Sequence, residues 1–226
     1  RFRRLVRGVY ILAGSELDLR IWLRALLLVL PSDAVVSHIT AVHLYGFDIG
    51  QPWPLHFSTN ASTHTRHKGV RVHRRKGRLT AYELDGIPVT GPDRTLVDIA
   101  TKVGLVQLVQ AIEWMLHRRM TTIDGLAAYA FARHLDGVRR VRRVLTLVRD
   151  GVESPMETVL RLMIVCARLP EPQCNVDILS SDGRFIARGD LVLARWKILV
   201  EYDGWQHERD GRQRQHDRER RELLEA

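Results

Sequence analysis

The segment Arg188-Gly189-Asp190-Leu191-Val192-Leu193-Ala194-Arg195-Trp196-Lys197-Ile198-Leu199-Val200-Glu201-Tyr202-Asp203-Gly204 gathers the residues best suited to chemistry. Two apolar, β-branched runs flank a polar turn, which predicts a hairpin. With a turn of two or four residues centred between Arg195 and Trp196, Val192 opposes Leu199, Asp190 opposes Glu201 and Arg188 opposes Asp203. Side chains alternate with period two, so these six share one face. Ala187, Leu191, Leu193, Ile198, Val200 and Tyr202 make the other, apolar face. Two carboxylates opposed at about 5 Å repel one another. A divalent cation between them removes the conflict, because Mg²⁺ (or Mn²⁺) is held by one or two carboxylates together with waters and phosphate. Neutralisation by Arg188 is the alternative, and a three-residue turn would separate the two acids altogether.

Two further groups lie near this hairpin in sequence. Glu157 stands in Ser154-Pro155-Met156-Glu157, where serine at the N-cap, proline at N1 and glutamate at N3 make a capping box, and Arg161 follows at i+4. Glu157 is thus a helix cap or a third acid reaching the same cation. His207, just after Gly204-Trp205-Gln206, is a general base near neutral pH or an exposed loop histidine.

The elements that must position these groups follow a change of rhythm along the chain. Arg1–Ala13 reads as a short hairpin, Ser15 as the cap of a helix through Leu30, and Ser37–Tyr45 as a second helix ended by Gly46. Leu55–Thr59, Val70–Arg74 and Tyr82–Val89 read as strands. Gly91-Pro92-Asp93 opens a run of helices over about 92–102, 105–119, 122–134 and 137–149. After an expected linker at Asp150-Gly151-Val152 comes a helix over Ser154–Leu169, with Met156, Val159, Leu160, Met163, Ile164 and Ala167 as its apolar face. Strands at Cys174–Ser180, Arg184–Leu193 and Lys197–Asp203 and a polar helix from about Asp210 complete the pattern. The expected fold class is α+β in two parts, 1–150 and 151–226.

Charge separates the same two parts. The 226 residues carry a net +9, but residues 1–150 hold 23 Lys/Arg against 12 Asp/Glu, while residues 151–226 hold 12 against 14. From Ile49 to Tyr82 there is no acidic residue, and Arg66, Lys68, Arg71, Arg74, Arg75, Lys76 and Arg78 fall within 13 positions. A strand so charged turns one face to solvent or to phosphate. In the segment 138–148, Val138, Val141, Leu145 and Val148 recur at helical spacing and leave Arg139, Arg140, Arg142 and Arg143 largely outward. Two such surfaces in a strongly basic chain point to a nucleic acid, DNA in the first instance. The composition excludes a disordered or fibrous chain. Its apolar runs are far short of the roughly 20 residues of a membrane span. Two cysteines, Cys166 and Cys174, are too few for a disulfide framework or a thiolate zinc site, which suits a cytoplasmic protein. The chain begins at Arg1 rather than methionine, and a missing start is expected.

The Ser-Pro-Met-Glu-Thr helix start, Asp190, the Val-Glu-Tyr-Asp-Gly-x-x-His stretch at 200–207, and Asp217 and Arg220 resemble the Vsr-like domain of unknown function, of the PD-(D/E)XK nuclease superfamily. The resemblance covers about residues 152–226. It implies a restriction-endonuclease-like mixed sheet flanked by helices, Asp190 and Glu201 as Mg²⁺ ligands, and Glu157 as an assisting acid. His207 would correspond to a histidine of very-short-patch-repair endonucleases. Asp203 stands where the superfamily usually has a catalytic lysine, and a further apolar strand is expected beyond Ala226. Residues 1–150 are similar to AbiEi-type antitoxins. Arg7-Gly8-Val9-Tyr10-Ile11-Leu12 resembles the wing of a winged helix, followed by Ser37-His38-Ile39-Thr40-Ala41 and Val89-Thr90-Gly91-Pro92-Asp93-Arg94-Thr95-Leu96-Val97-Asp98. This implies a winged-helix remnant whose recognition helix precedes Arg1.

Two functions are therefore expected. The first is a Mg²⁺-dependent DNA endonuclease with Glu157, Asp190, Glu201, Asp203 and His207 as its catalytic set. The second is a DNA-binding regulator or antitoxin whose nuclease-like part is inactive and whose partner is a cognate toxin or antitoxin protein.

Overall fold

A computed structural model describes residues 1–63 and 67–202 of the chain. The fold is α+β, as expected. The chain opens with the hairpin β1 (Phe2–Val6) and β2 (Val9–Leu12), antiparallel from Phe2↔Leu12 to Val6↔Val9. Helix α1 (Leu19–Leu27) starts later than Ser15, because Asp18 supplies the cap: its Oδ1 accepts the Ile21 N–H at 2.7 Å. α1 buries Leu23, Ala25 and Leu26 and stops short of Leu30.

The central sheet has the order β5-β4-β3-β7-β6 and is mixed. It contains β3 (Val35–Val36), β4 (Leu55–Thr59), β5 (Val70–Arg74), β6 (Ala81–Leu84) and β7 (Ile87–Thr90). β3 pairs antiparallel with β4 and parallel with β7, and β4 pairs parallel with β5. The segment read as one strand, Tyr82–Val89, is the hairpin β6–β7, since Asp85 and Gly86 both take positive φ (51° and 74°). Asp-Gly is the pair that such a two-residue turn favours. β3 has only two residues, too few for any periodicity to show. Helix α2 (His38–Leu44) ends before Gly46, whose φ is +90°. Leu55 and Phe57 join Leu23, Leu26, Val36, Leu44, Ile87 and Val89 in one apolar core.

Four helices make the second core: α3 (Pro92–Ile99), α4 (Leu105–His117), α5 (Ile123–Phe131) and α6 (Val138–Val144). Each ends sooner than its pattern suggested. Leu96, Ile99, Leu108, Ile112, Met115, Leu126 and Val141 are fully buried there. Gly137 begins α6 so close to α3 that a Cβ would stand 2.2 Å from the Val97 carbonyl oxygen, and its φ is +97°.

Helix α7 (Pro155–Cys166) is capped by Ser154 Oγ, which accepts the Glu157 N–H at 3.2 Å. Its buried face is not the apolar one expected. Glu157, Thr158, Arg161 and Leu162 are buried, while Met163 is 63% exposed. The cause lies on α4. Glu113, 2% exposed, pairs with the fully buried Arg161 and accepts hydrogen bonds from Thr158 Oγ1 (2.6 Å) and the Arg149 N–H (2.8 Å). Breaking a buried ion pair leaves an uncompensated charge, so this pair sets which face of α7 turns inward, even though Arg161 Nε finds no hydrogen-bond partner among the described residues. Arg161 also reaches Glu171, at 3.4 Å, rather than pairing with Glu157. Leu162 shares the core of α3–α6, so the helix after Asp150-Gly151-Val152 packs on those before it.

The last described sheet, order β10-β9-β8, is antiparallel throughout: β8 (Gln173–Leu179), β9 (Phe185–Leu193) and β10 (Ile198–Val200). The mixed sheet is thus the central one.

Candidate functional site

The C-terminal hairpin has the predicted register. Ile198↔Leu193, Leu199↔Val192 and Val200↔Leu191 are paired across the turn Ala194–Trp196, with Lys197 at φ +52°. Ala187, Gly189 and Leu191 are buried on one face, and Asp190 is half-buried on the other. Glu201 follows Val200 directly and is exposed. The Asp190 carboxylate is already in use: Oδ2 accepts the Tyr202 N–H at 2.9 Å. Glu157 faces inward, and its Oε2 accepts the Glu153 N–H (3.0 Å) and Asn175 Nδ2–H (2.6 Å). The amide reached is that of Glu153, one residue before the N-cap, so the capping box is displaced by one. Arg188 pairs with Glu153 at 2.7 Å and with the cross-strand Asp177 at 3.4 Å. Asp190, Glu201 and Glu157 do not come together as a group of three ligand atoms among the described residues. Asp203, His207, Asp217 and Arg220 lie outside the described residues, as does Arg66.

The basic stretch divides by role. On β5 and the loops on either side of it, Lys68, Arg71, Arg74, Lys76 and Arg78 are exposed, and none of the five forms an ion pair among the described residues. Arg75 turns inward. It donates to Ser58 Oγ (3.1 Å) and to Asp98 Oδ2 (2.5 Å), and Arg94 holds the other oxygen of Asp98 at 2.9 Å. Burial raises the Asp98 carboxyl above its ordinary range, against the pull of Arg75 and Arg94. On α6, Arg139 and Arg143 are exposed and Arg140 is half-buried. Arg142 closes the end of α5, donating to the Ala130 carbonyl at 2.7 Å with its guanidinium 4.8 Å above the Phe131 ring. One feature escaped the charge-run reading: Arg78, Arg94 and Arg133 line a cleft of about 520 Å³ with Tyr82 and Tyr129. Only the fold joins these cations, which come from the β5–β6 loop, α3 and the loop after α5.

Histidine supplies the other missed group. The side chains of His38, His56 and His73 lie with their ligand-type nitrogens within 4.8 Å of one another. His56 is on β4 and His73 on β5, and α2 brings His38 across them. Spaced 18 and 17 residues apart, they match no local motif.

The comparisons with known proteins bear on this same region. The family model of the AbiEi antitoxin C-terminal domain matches residues 34–147, just over half of the chain. The chain belongs to that family. Two uncharacterised Mycobacterium tuberculosis proteins, Rv2248 of strain H37Rv and MT2308 of strain CDC 1551, are each 27% identical to it over 197 residues, covering 87% of this chain and 71% of each relative. The AbiEi-type domain contains the central sheet and α2–α6, hence the exposed cations of β5, the Asp98 network and the three histidines. The hairpin bearing Asp190 and Glu201 lies outside the matched residues. No helix among the described residues is long and apolar enough to cross a membrane.

Proposed function

We propose that the protein is the DNA-binding antitoxin of a toxin–antitoxin pair, with its C-terminal sheet serving as a scaffold. One observation carries this reading: the stretch that matches the antitoxin domain is also the one that presents Lys68, Arg71, Arg74, Lys76 and Arg78 to solvent without carboxylate partners among the described residues. Each such cation releases a condensed counterion when it meets a DNA phosphate. The hairpin β1–β2 fits the wing of a winged helix and adds a second contact to the duplex. The family's description as an antitoxin implies a protein toxin as the other partner.

Fluorescence anisotropy of the full chain on duplex DNA, over a series of salt concentrations, tests this. Five phosphate contacts give a slope of log K against log[salt] of about −4.5, so affinity falls by roughly 10²–10³ between 50 and 200 mM salt. Replacing Arg71, Arg74, Lys76 and Arg78 by alanine removes most of that slope. Affinity that ignores both salt and these changes defeats the reading.

The register of β9–β10 favours a second reading, a Mg²⁺- or Mn²⁺-dependent endonuclease of the Vsr-like type. Continued one step past Val200↔Leu191, this register would bring Glu201 opposite Asp190, and those two carboxylates would hold the ion, which would activate water and offset phosphate charge. Glu157, with Oε2 taken by two donors, would keep the end of α7 rigid beside the sheet. If this reading holds, the chain nicks supercoiled plasmid in Mg²⁺ or Mn²⁺, and Asp190→Asn and Glu201→Gln each abolish nicking. Equal nicking in wild type and both variants marks a contaminant.

A further inference from the structure

We propose that His38, His56 and His73 form a binding site for a divalent transition-metal ion of the zinc type, with the fourth position open to water or an anionic oxygen. The inference does not depend on the DNA-binding reading. Its first support is placement. β4 and β5 run parallel with His56↔Arg71 and Ser58↔His73 in register, so His56 and His73 are diagonal neighbours on one face of the sheet. His38, at the first position of α2, comes down on that face with its ring 3.8 Å from that of His73. His38 and His56 are buried and His73 is half-buried, so access is from the β5 edge.

The second support is the backbone. His38 takes a φ of +56°, a conformation that is strained for a non-glycine residue and tends to occur where a side chain is held for a purpose. The third is the set of partners around the rings. His38 Nδ1 lies 2.9 Å from Ser37 Oγ, which accepts from Ser58 Oγ at 2.8 Å, and Ser58 in turn accepts from Arg75. When Nδ1–H donates to Ser37 Oγ, Nε2 of His38 is left to ligate, and the chain behind the ring holds its aim.

Imidazole must be neutral to bind a metal. His38 and His56 are buried, with Arg71, Arg75 and Lys102 nearby, and burial disfavours the charged ring. Without an ion, His56 Nδ1 and His73 Nε2 share a proton at 2.9 Å. Tetrahedral Zn²⁺, with bonds of about 2.0–2.1 Å to nitrogen, needs its ligand nitrogens roughly 3.4 Å apart, and the stacked rings must turn out of parallel to aim their lone pairs at one ion. Three imidazoles leave one position vacant. The surrounding arginine and lysine charges favour an anion there.

The test uses the full chain without an affinity tag, stripped by chelator and dialysed, then titrated with Co²⁺ alone and Zn²⁺ alone. One equivalent of Co²⁺ should bind with the intense visible absorption of a tetrahedral nitrogen site, and Zn²⁺ should displace it. Zn²⁺ should also raise the Tm of the wild-type chain. His73→Asn, at the least buried of the three positions, should weaken binding by about 100-fold with an unchanged far-UV spectrum. His38→Asn and His56→Asn are read the same way where they fold. The proposal is overturned if wild type shows neither the tetrahedral spectrum nor a zinc-dependent Tm. It is equally overturned if His73→Asn folds and binds as tightly as wild type, which would place the ion among the other histidines.

Discussion

In the AbiEi-type body, Asp98 is 6% exposed and lies between the guanidinium groups of Arg75 and Arg94. In the C-terminal sheet, Arg188, Asp177 and Glu153 meet on a surface where each side chain is about half open to water. The first arrangement ties α3 to the β5 end of the central sheet through groups that have lost their hydration, so each depends on the others. The second can be broken with water taking its place. The body therefore spends its inward-facing charge on architecture and leaves Lys68, Arg71, Arg74, Lys76 and Arg78 outside without ion-pair partners among the described residues, the arrangement that the DNA-binding proposal uses. The C-terminal sheet largely neutralises itself at its surface, and Arg161, the fully buried charge of α7, serves the joint with the body.

That joint gives the largest expected effect. Arg161→Ala strands Glu113 in the core with a carboxyl that burial already pushes up, and should cost about 3–5 kcal/mol in urea unfolding. The double change Glu113→Gln with Arg161→Met removes both charges and should restore most of the loss. If Arg161→Ala costs less than about 1 kcal/mol, α7 is not held to α4 by this pair, and the two regions are energetically separate.

The same pair explains what the sequence concealed. The β9–β10 register was legible up to the length of its turn: alternation of apolar and polar residues on both sides matches a turn of two or four residues, and the structure has the four-residue turn 194–197. The face of α7 was misread because hydrophobic periodicity ranks Met163 above Arg161, and only a partner 48 residues away reverses that order. The helix α1 cap went to Ser15 instead of Asp18 because both residue types cap, and local sequence does not choose between them. Asp85-Gly86 was a visible turn signal, but the apolar run around it read as one strand. The three histidines were illegible for a different reason. Their meeting depends on parallel pairing of β4 with β5 and on a helix start crossing the sheet, neither of which any spacing rule encodes.

The contrast between the regions can be sharpened by one substitution in each. Asp98→Asn keeps the shape of the side chain but gives Arg75 and Arg94 a neutral partner, one of whose oxygens has become a donor. Hydrogen bonds to charged groups contribute about 1.5–3 kcal/mol, and the loss should fall in that range. Arg188→Ala removes its exposed pairs with Glu153 and Asp177, and exposed pairs contribute only about 0–1 kcal/mol, so its unfolding midpoint should barely move. Salt should separate them as well: raising ionic strength screens the Arg188 pairs and narrows the gap between Arg188→Ala and wild type, while the Asp98→Asn deficit persists. Equal losses for the two variants would mean that the C-terminal sheet relies on its surface charges as heavily as the body relies on its buried ones. The scaffold reading of that sheet would then give way to one in which Arg188 is held in place for a task.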